Sequence, residues 1–154
     1  MARRIFISHQ HEDQAQAKGF ALLQWNKNVD VEFVGRHLLD PVNSTNVDYI
    51  TQCVKEQIAG TSVTVVAIGD RTADSSWVPN EVEWSLEKDP PNAILGIRLK
   101  GHDDAPVPQA LLDCGAEVIN WEPDEFQDAI DRAVAGAHRA VQLQLQGGGG
   151  ACAR

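Results

Sequence analysis

The stretch GTSVTVVAIG, residues 60–69, contains the clearest strand signal in the sequence. Its β-branched side chains favour extended backbone, and a glycine bounds it at each end. A continuous apolar run of this length is typical of a strand that is buried on both faces of a parallel sheet. We therefore place residues 62–68 at the centre of the predicted sheet.

Strand-like and helix-like segments alternate on both sides of this run. The predicted strands are residues 3–8, 29–34, 62–68, 93–99 and 117–121. The predicted helices are residues 12–27, 47–58, 75–88 and 109–113, with a last one from residue 126 onward. Alternating elements favour right-handed connections between parallel strands, with helices on both faces of the sheet. The predicted fold class is therefore α/β, a flavodoxin-like three-layer sandwich with a five-stranded, mostly parallel sheet.

Length and composition predict one globular domain over residues 1–145. The chain has 154 residues, of which 43% are apolar, which is enough for one well-buried core. Residues 146–154 form a glycine-rich tail that we expect to be disordered. The net charge of −9 argues against binding to nucleic acid or to an anionic membrane.

Several features of the sequence predict a cytoplasmic protein. The basic start at Arg3-Arg4 is followed by only three apolar residues before Ser8, so no signal-peptide core develops. No apolar run approaches the ~20 residues that a membrane-spanning helix requires. The three cysteines are predicted to be free thiols, because their spacing fits neither a zinc knuckle nor a redox pair.

The fold class also predicts where a ligand would bind. In an open parallel sheet, ligands collect beyond the carboxyl ends of the strands. The polar loops at residues 8–13, 35–46 and 69–77 are predicted to meet there. The first loop lacks the phosphate-binding composition of flavodoxins, and the acidic pair and lysine of phosphoacceptor receiver domains are also missing.

Two motifs carry a resemblance to a known family. The chain opens with Arg4-Ile5-Phe6-Ile7-Ser8-His9, and Trp77-Val78-Pro79-Asn80-Glu81 follows the third predicted strand. This pair of motifs resembles the Toll/interleukin-1 receptor (TIR) domains, whose enzymatic members carry Trp-Val-x-x-Glu at the start of a helix. The middle of the chain, residues 33–49 with Asp40-Pro41 and Asn46-Val47-Asp48-Tyr49-Ile50, is more specifically similar to the bacterial TIR-like proteins of the Thoeris antiphage defence system.

The resemblance implies that NAD is a substrate, not a cofactor, and that it is cleaved between nicotinamide and ribose. Such an NAD glycohydrolase or ADP-ribosyl cyclase releases nicotinamide and forms ADP-ribose, a cyclic isomer or a conjugate. Nicotinamide is already a cationic leaving group, so Glu81 needs only to hold the ribose hydroxyls and stabilise the oxocarbenium-like sugar. Glu83 lies two residues further along the helix and is expected to point elsewhere.

The resemblance also nominates substrate-binding residues, each of which has a structural alternative. Glu81 itself can be an acidic residue that the helix dipole favours. Trp77 can stack on the substrate or cover the edge of the sheet. Ser8, His9 and His11 can bind the pyrophosphate or a ribose, or serve only loop solvation and capping. Candidates in the second loop are Arg36, which can equally be a surface charge, and Asn46. No metal site is predicted, because the histidines and cysteines lack ligand spacing.

The resemblance further implies partners. These are self-association through TIR surfaces, a phage-derived trigger, and a separate effector that the nucleotide product reaches. Two other functions fit the same sequence. One is a catalytically silent TIR domain that acts as a protein interaction module, and the other is a regulator that binds NAD or ADP-ribose without turnover.

Overall fold

The computed structural model describes residues 3–9, 31–35 and 47–146. Within them, the strands are β1 (Arg3–His9), β2 (Val31–Gly35), β3 (Val63–Ile68), β4 (Ala93–Arg98) and β5 (Glu117–Ile119). All the pairings are parallel, and the order is β2-β1-β3-β4-β5. Every residue of β3 is buried, and the strand lies in the middle of the sheet, as its apolar run predicted.

Four strands of five to seven residues form the body of this sheet. At one edge, the three residues of β5 pair with Leu95–Ile97 of β4. The strand predicted at residues 117–121 is therefore shorter than expected. The reason lies in Trp121, whose ring makes an edge-to-face contact with Phe126 at a centroid distance of 5.2 Å. This contact turns the chain away from the sheet edge and into the final helix.

The helices within the described residues are α1 (Val47–Ala59), α2 (Trp77–Glu87), α3 (Gln109–Cys114) and α4 (Phe126–Gln146). Short 3-10 turns occupy Thr72–Asp74 and Pro123–Glu125. The helix predicted at residues 12–27 lies outside the described residues, so it stays a prediction. Of the tail predicted at residues 146–154, Gln146 is the last residue of α4, and the other residues lie outside the described part, so the tail also stays a prediction. Among the described residues, no helix is long and apolar enough to cross a membrane.

Helices cover both faces of the sheet. On one face, Phe126, Ala129 and Ile130 of α4 pack against the apolar side chains of β1, β3 and β4. On the other face, Leu111 of α3 and residues of α2 pack against β3, while Val54 of α1 packs against β1. This arrangement confirms the predicted α/β architecture with a parallel sheet between helices, and it explains why the strands read as continuous apolar runs.

One glycine permits a close approach between the sheet and α3. A Cβ built at Gly96 of β4 would lie 2.9 Å from Cδ1 of Leu111, and 3.1 Å from side-chain atoms of Ile68 and Val118. Real Cβ atoms essentially never show a separation under 3.0 Å, so the Leu111 side chain would have to shift, and the two contacts at 3.1 Å would also be tight. Gly96 therefore sets the distance at which α3 packs on the sheet.

Candidate active site

The site begins where β1 ends and α2 begins. Because β1 and β3 are parallel neighbours, with Ser8 opposite Val66 in the register, their carboxyl ends reach the same edge of the sheet. The chain leaves β3, makes a short turn and starts α2 at Trp77. The Oγ atom of Ser75 accepts hydrogen bonds from the backbone N–H groups of Trp77, at 3.2 Å, and Val78, at 3.3 Å. Ser75 thus caps the amino terminus of the helix.

Glu81 is the buried carboxylate at this edge of the sheet. Its side chain is fully inaccessible to solvent, and its Oε1 atom accepts a hydrogen bond from the Ser8 hydroxyl at 2.6 Å. This distance lies within the range of a strong O–H···O⁻ hydrogen bond. Glu83 is exposed, as predicted from its position two residues along the helix. The structure therefore joins the two sequence motifs through one short contact between Ser8 and Glu81.

A second set of contacts holds the backbone of Glu81. The Ser85 hydroxyl donates to the Glu81 carbonyl oxygen at 2.7 Å, and it also lies 2.6 Å from the Thr64 hydroxyl of β3. Since a serine hydroxyl has one hydrogen and Ser85 gives it to the carbonyl, Thr64 is the donor to Ser85. Thr64 in turn accepts a hydrogen bond from Nδ2 of Asn92 at 3.0 Å. The chain of hydrogen bonds thus runs from Asn92 to the backbone of Glu81.

Asn92 is the branch point of this buried network. Its Nδ2 also donates to the Thr61 hydroxyl at 2.9 Å, and the Thr61 hydroxyl donates to a backbone carbonyl. Its Oδ1 accepts from the Lys88 ammonium at 2.7 Å, and Lys88 donates as well to the Thr61 carbonyl at 2.8 Å. Burial lowers the pKa of Lys88 below its usual value. These contacts tie the C-terminal end of α2 to β3 and to the turn before it, which fixes the helix that carries Glu81.

Trp77 lies in an apolar cluster between α1 and α2. It is half-buried and packs with Trp84 beside the buried core residues Phe6, Val54 and Ile58. The two indole rings make an edge-to-face contact at a centroid distance of 6.4 Å. Trp84 also lies beneath the ammonium group of Lys55, which is 5.2 Å from its ring centroid. Packing therefore accounts for Trp84 and for much of the surface of Trp77.

The remaining predicted residues divide into two groups. His9 ends β1 next to Ser8 and is almost fully buried. His11, Arg36 and Asn46 lie outside the described residues, so their roles stay predictions. Within residues 3–9, 31–35 and 47–146, no group of three or more histidine, cysteine or acidic side chains is arranged to hold a metal ion.

The same sheet edge has a second feature, further along at the ends of β3 and β4. The Nδ1 atom of His102 lies 2.9 Å from Oδ1 of Asp70, next to a cavity of about 450 Å³ that also exposes Asp103 and Asp104. Three carboxylates in the lining would repel the pyrophosphate of a dinucleotide. This cavity therefore does not suit NAD. It is also separate from Glu81, whose carboxylate contacts Ser8 of β1 on the other side of β3.

The hydrogen-bond network that links Asn92 to the backbone of Glu81 was not predicted from the sequence. A signal was nevertheless present, because Thr64 interrupts an otherwise apolar strand and Ser85 follows Glu81 by one helical turn. Polar residues at positions that should be buried require partners. Pairing them with Asn92 needed the three-dimensional fold.

Comparison with known families agrees with the motifs at this site. The family described as "Thoeris protein ThsB, TIR-like domain" matches residues 6–104, which is well over half of the chain. The chain belongs to this family. The matched range contains residues 6–9 of β1, all of α2 and the Asn92 network, and it ends before α3. Comparison with curated proteins gives no significant match.

Membership of the ThsB family implies a role in Thoeris antiphage defence. Both motifs, at residues 4–9 and 77–81, lie almost entirely within the range that the family matches. The TIR resemblance deduced from these motifs is thereby confirmed.

Proposed function

We propose that this ThsB-family domain cleaves NAD at the nicotinamide–ribose bond, with Glu81 as the essential carboxylate. The reaction releases nicotinamide and makes an ADP-ribose-derived nucleotide, either cyclic or conjugated, that signals in antiphage defence. The observation that supports this proposal best is the burial of Glu81 at the carboxyl edge of the parallel sheet. Ligands of open α/β sheets collect at this edge.

The chemistry suits a single buried carboxylate. Departure of nicotinamide leaves positive charge on the ribose, and a carboxylate stabilises that charge more strongly in a low-dielectric site than in water. No proton donor is needed, because the leaving group is already cationic. Glycosidases that lack this advantage generally use two carboxylates, and the exposed Glu83 is poorly placed to be the second one.

The proposal assigns further residues of the TIR resemblance to the substrate. Trp77 would contribute a ring face to NAD, and His9, His11, Arg36 and Asn46 would contact its phosphates and riboses. Ser8 contacts the Glu81 carboxylate directly. The strand order β2-β1-β3-β4-β5 supports a flavodoxin-like TIR domain over residues 1–145.

The biological setting follows from the same proposal. The domain would act in the cytoplasm, where NAD is available. A phage-derived trigger and self-association through TIR surfaces would activate it, and the nucleotide product would reach a separate effector protein. Neither a bound cofactor nor a metal ion takes part in this scheme.

The test is NAD turnover with the products identified by chromatography and mass spectrometry. Glu81→Gln should lower nicotinamide release by at least about 100-fold, because it removes the charge that stabilises the transition state. Glu83→Gln is the matched control, since it changes an exposed carboxylate on the same helix, and it should retain the activity of the unaltered protein. Equal turnover by Glu81→Gln and the unaltered protein would refute the proposal. If concentrated, triggered protein releases no nicotinamide, the result would instead favour a TIR interaction module.

A further inference from the structure

We propose that Ser8 is a positioning residue, which fixes the orientation of the Glu81 carboxylate and does not itself bind the substrate. This inference deepens the proposed NAD cleavage and rests on it. The resemblance to TIR enzymes had nominated Ser8 as a substrate contact. The geometry of its hydroxyl points to a different role.

The hydroxyl of Ser8 is committed to Glu81. A serine hydroxyl carries one hydrogen, and in Ser8 it points to Oε1 of Glu81 across 2.6 Å. Ser8 is fully buried, as is Glu81. The hydroxyl therefore cannot donate to a phosphate or a ribose unless it gives up a strong bond to a buried carboxylate.

The backbone around Ser8 makes it a rigid support. Ser8 is the penultimate residue of β1, which pairs with β2 on one side and with the central strand β3 on the other. Its side chain has only one heavy-atom torsion, so little conformational freedom remains once the strand is formed. By contrast, the glutamate side chain has three torsions, and the last one is broad.

Glu81 is consequently held at both of its ends. The Ser85 hydroxyl bonds its backbone carbonyl, and the Ser8 hydroxyl bonds its carboxylate. A misplacement of about 1 Å in a catalytic group can slow a reaction by roughly 100-fold. Removal of the Ser8 hydroxyl should therefore slow the chemical step more than it weakens substrate binding.

The experiment compares kcat and KM for NAD in Ser8→Ala and Ser8→Thr. We expect Ser8→Ala to lower kcat by about 10-fold to 100-fold while KM changes by less than about 3-fold. Ser8→Thr keeps the hydroxyl and should recover most of kcat. Thermal unfolding of Ser8→Thr shows whether the added methyl group disrupts the fold. If it does, Ser8→Cys replaces Ser8→Thr as the variant that keeps a donor. The thiol is similar in size to the hydroxyl but a weaker donor, so Ser8→Cys should give an intermediate kcat.

Two kinetic outcomes would overturn the inference and leave NAD cleavage standing, provided that Glu81→Gln is inactive. One is an unchanged kcat in Ser8→Ala. The other is an increase of KM at constant kcat, which would make Ser8 a substrate contact.

A crystal structure of Ser8→Ala supplies a readout that is independent of turnover. A Glu81 carboxylate that has rotated away from its original position supports positioning by Ser8, and an unchanged carboxylate contradicts it. If the unaltered protein releases no nicotinamide, NAD cleavage fails, and this structure alone decides whether Ser8 orients Glu81.

Discussion

Replacement of Asn92 by alanine should destabilise the domain severely, although the side chain is small and remote from Glu81. Asn92 is almost fully buried and makes three side-chain hydrogen bonds, to Thr61, Thr64 and Lys88. Each buried polar group that loses its partner costs about 1–3 kcal/mol. The two threonine hydroxyls keep their own donated bonds and Lys88 keeps the Thr61 carbonyl, so each loss lies near the lower limit. We therefore expect a decrease of about 3 kcal/mol in the free energy of unfolding.

The assay is urea unfolding followed by circular dichroism. With a slope of about 2 kcal/mol per M, a loss of 3 kcal/mol lowers the urea midpoint by about 1.5 M. Asn120→Ala is the matched control, because Asn120 is exposed and accepts one hydrogen bond from the side chain of Arg98. That variant should remain within about 0.5 kcal/mol of the unaltered protein. A decrease of less than about 1 kcal/mol in Asn92→Ala would refute the view that this network anchors α2.

Two further predictions concern packing and charge. Gly96→Ala should lower the free energy of unfolding by about 1–3 kcal/mol, because its Cβ would press on Leu111. Gly136→Ala, whose Cβ would lie in open space within α4, should raise the free energy of unfolding by about 0.5–1 kcal/mol. Thermal unfolding tests both variants. A higher melting temperature for Gly96→Ala than for Gly136→Ala would contradict this reasoning. The hydrogen bond from Arg132 lowers the pKa of Glu117 below its usual 4.5. At pH values above 4.5, this exposed ion pair therefore contributes a small stabilisation to the fold. The contribution is lost as the pH falls through the lowered pKa of Glu117. Carboxyl NMR should show the pKa of Glu117 rising in Arg132→Gln, and an unchanged titration would exclude the pairing.

Local patterns were sufficient for most of the described elements. The apolar run at residues 62–68 predicted a buried central strand, and the helix predicted at residues 47–58 agrees closely with α1. The helix predicted at residues 75–88 agrees closely with α2. The end of β5 was misplaced by two residues, because the packing of Trp121 on Phe126 ends the strand early. That contact depends on where α4 lies, which no local pattern encodes.

The candidate site was predicted less completely than the fold. Glu81 came from the Trp-Val-x-x-Glu motif, since an acidic residue near a helix start is otherwise unremarkable. The motif could not show that Ser8, 73 residues earlier, donates to its carboxylate. Nor could it show that Asn92 braces the same helix through Thr64.

The sequence by itself therefore determined most of the described elements, their alternation and the motifs of the ThsB family. These properties depend on the chemistry of neighbouring residues and on periods of two or about 3.6 residues. Only the tertiary structure decided which polar groups meet. The register of β1 against β3 places Ser8 at the edge where α2 begins, and the burial of α2 on the sheet removes water that would otherwise satisfy Glu81 and Asn92. Once water is excluded, each of these groups requires a protein partner, and the fold supplies partners from distant parts of the chain.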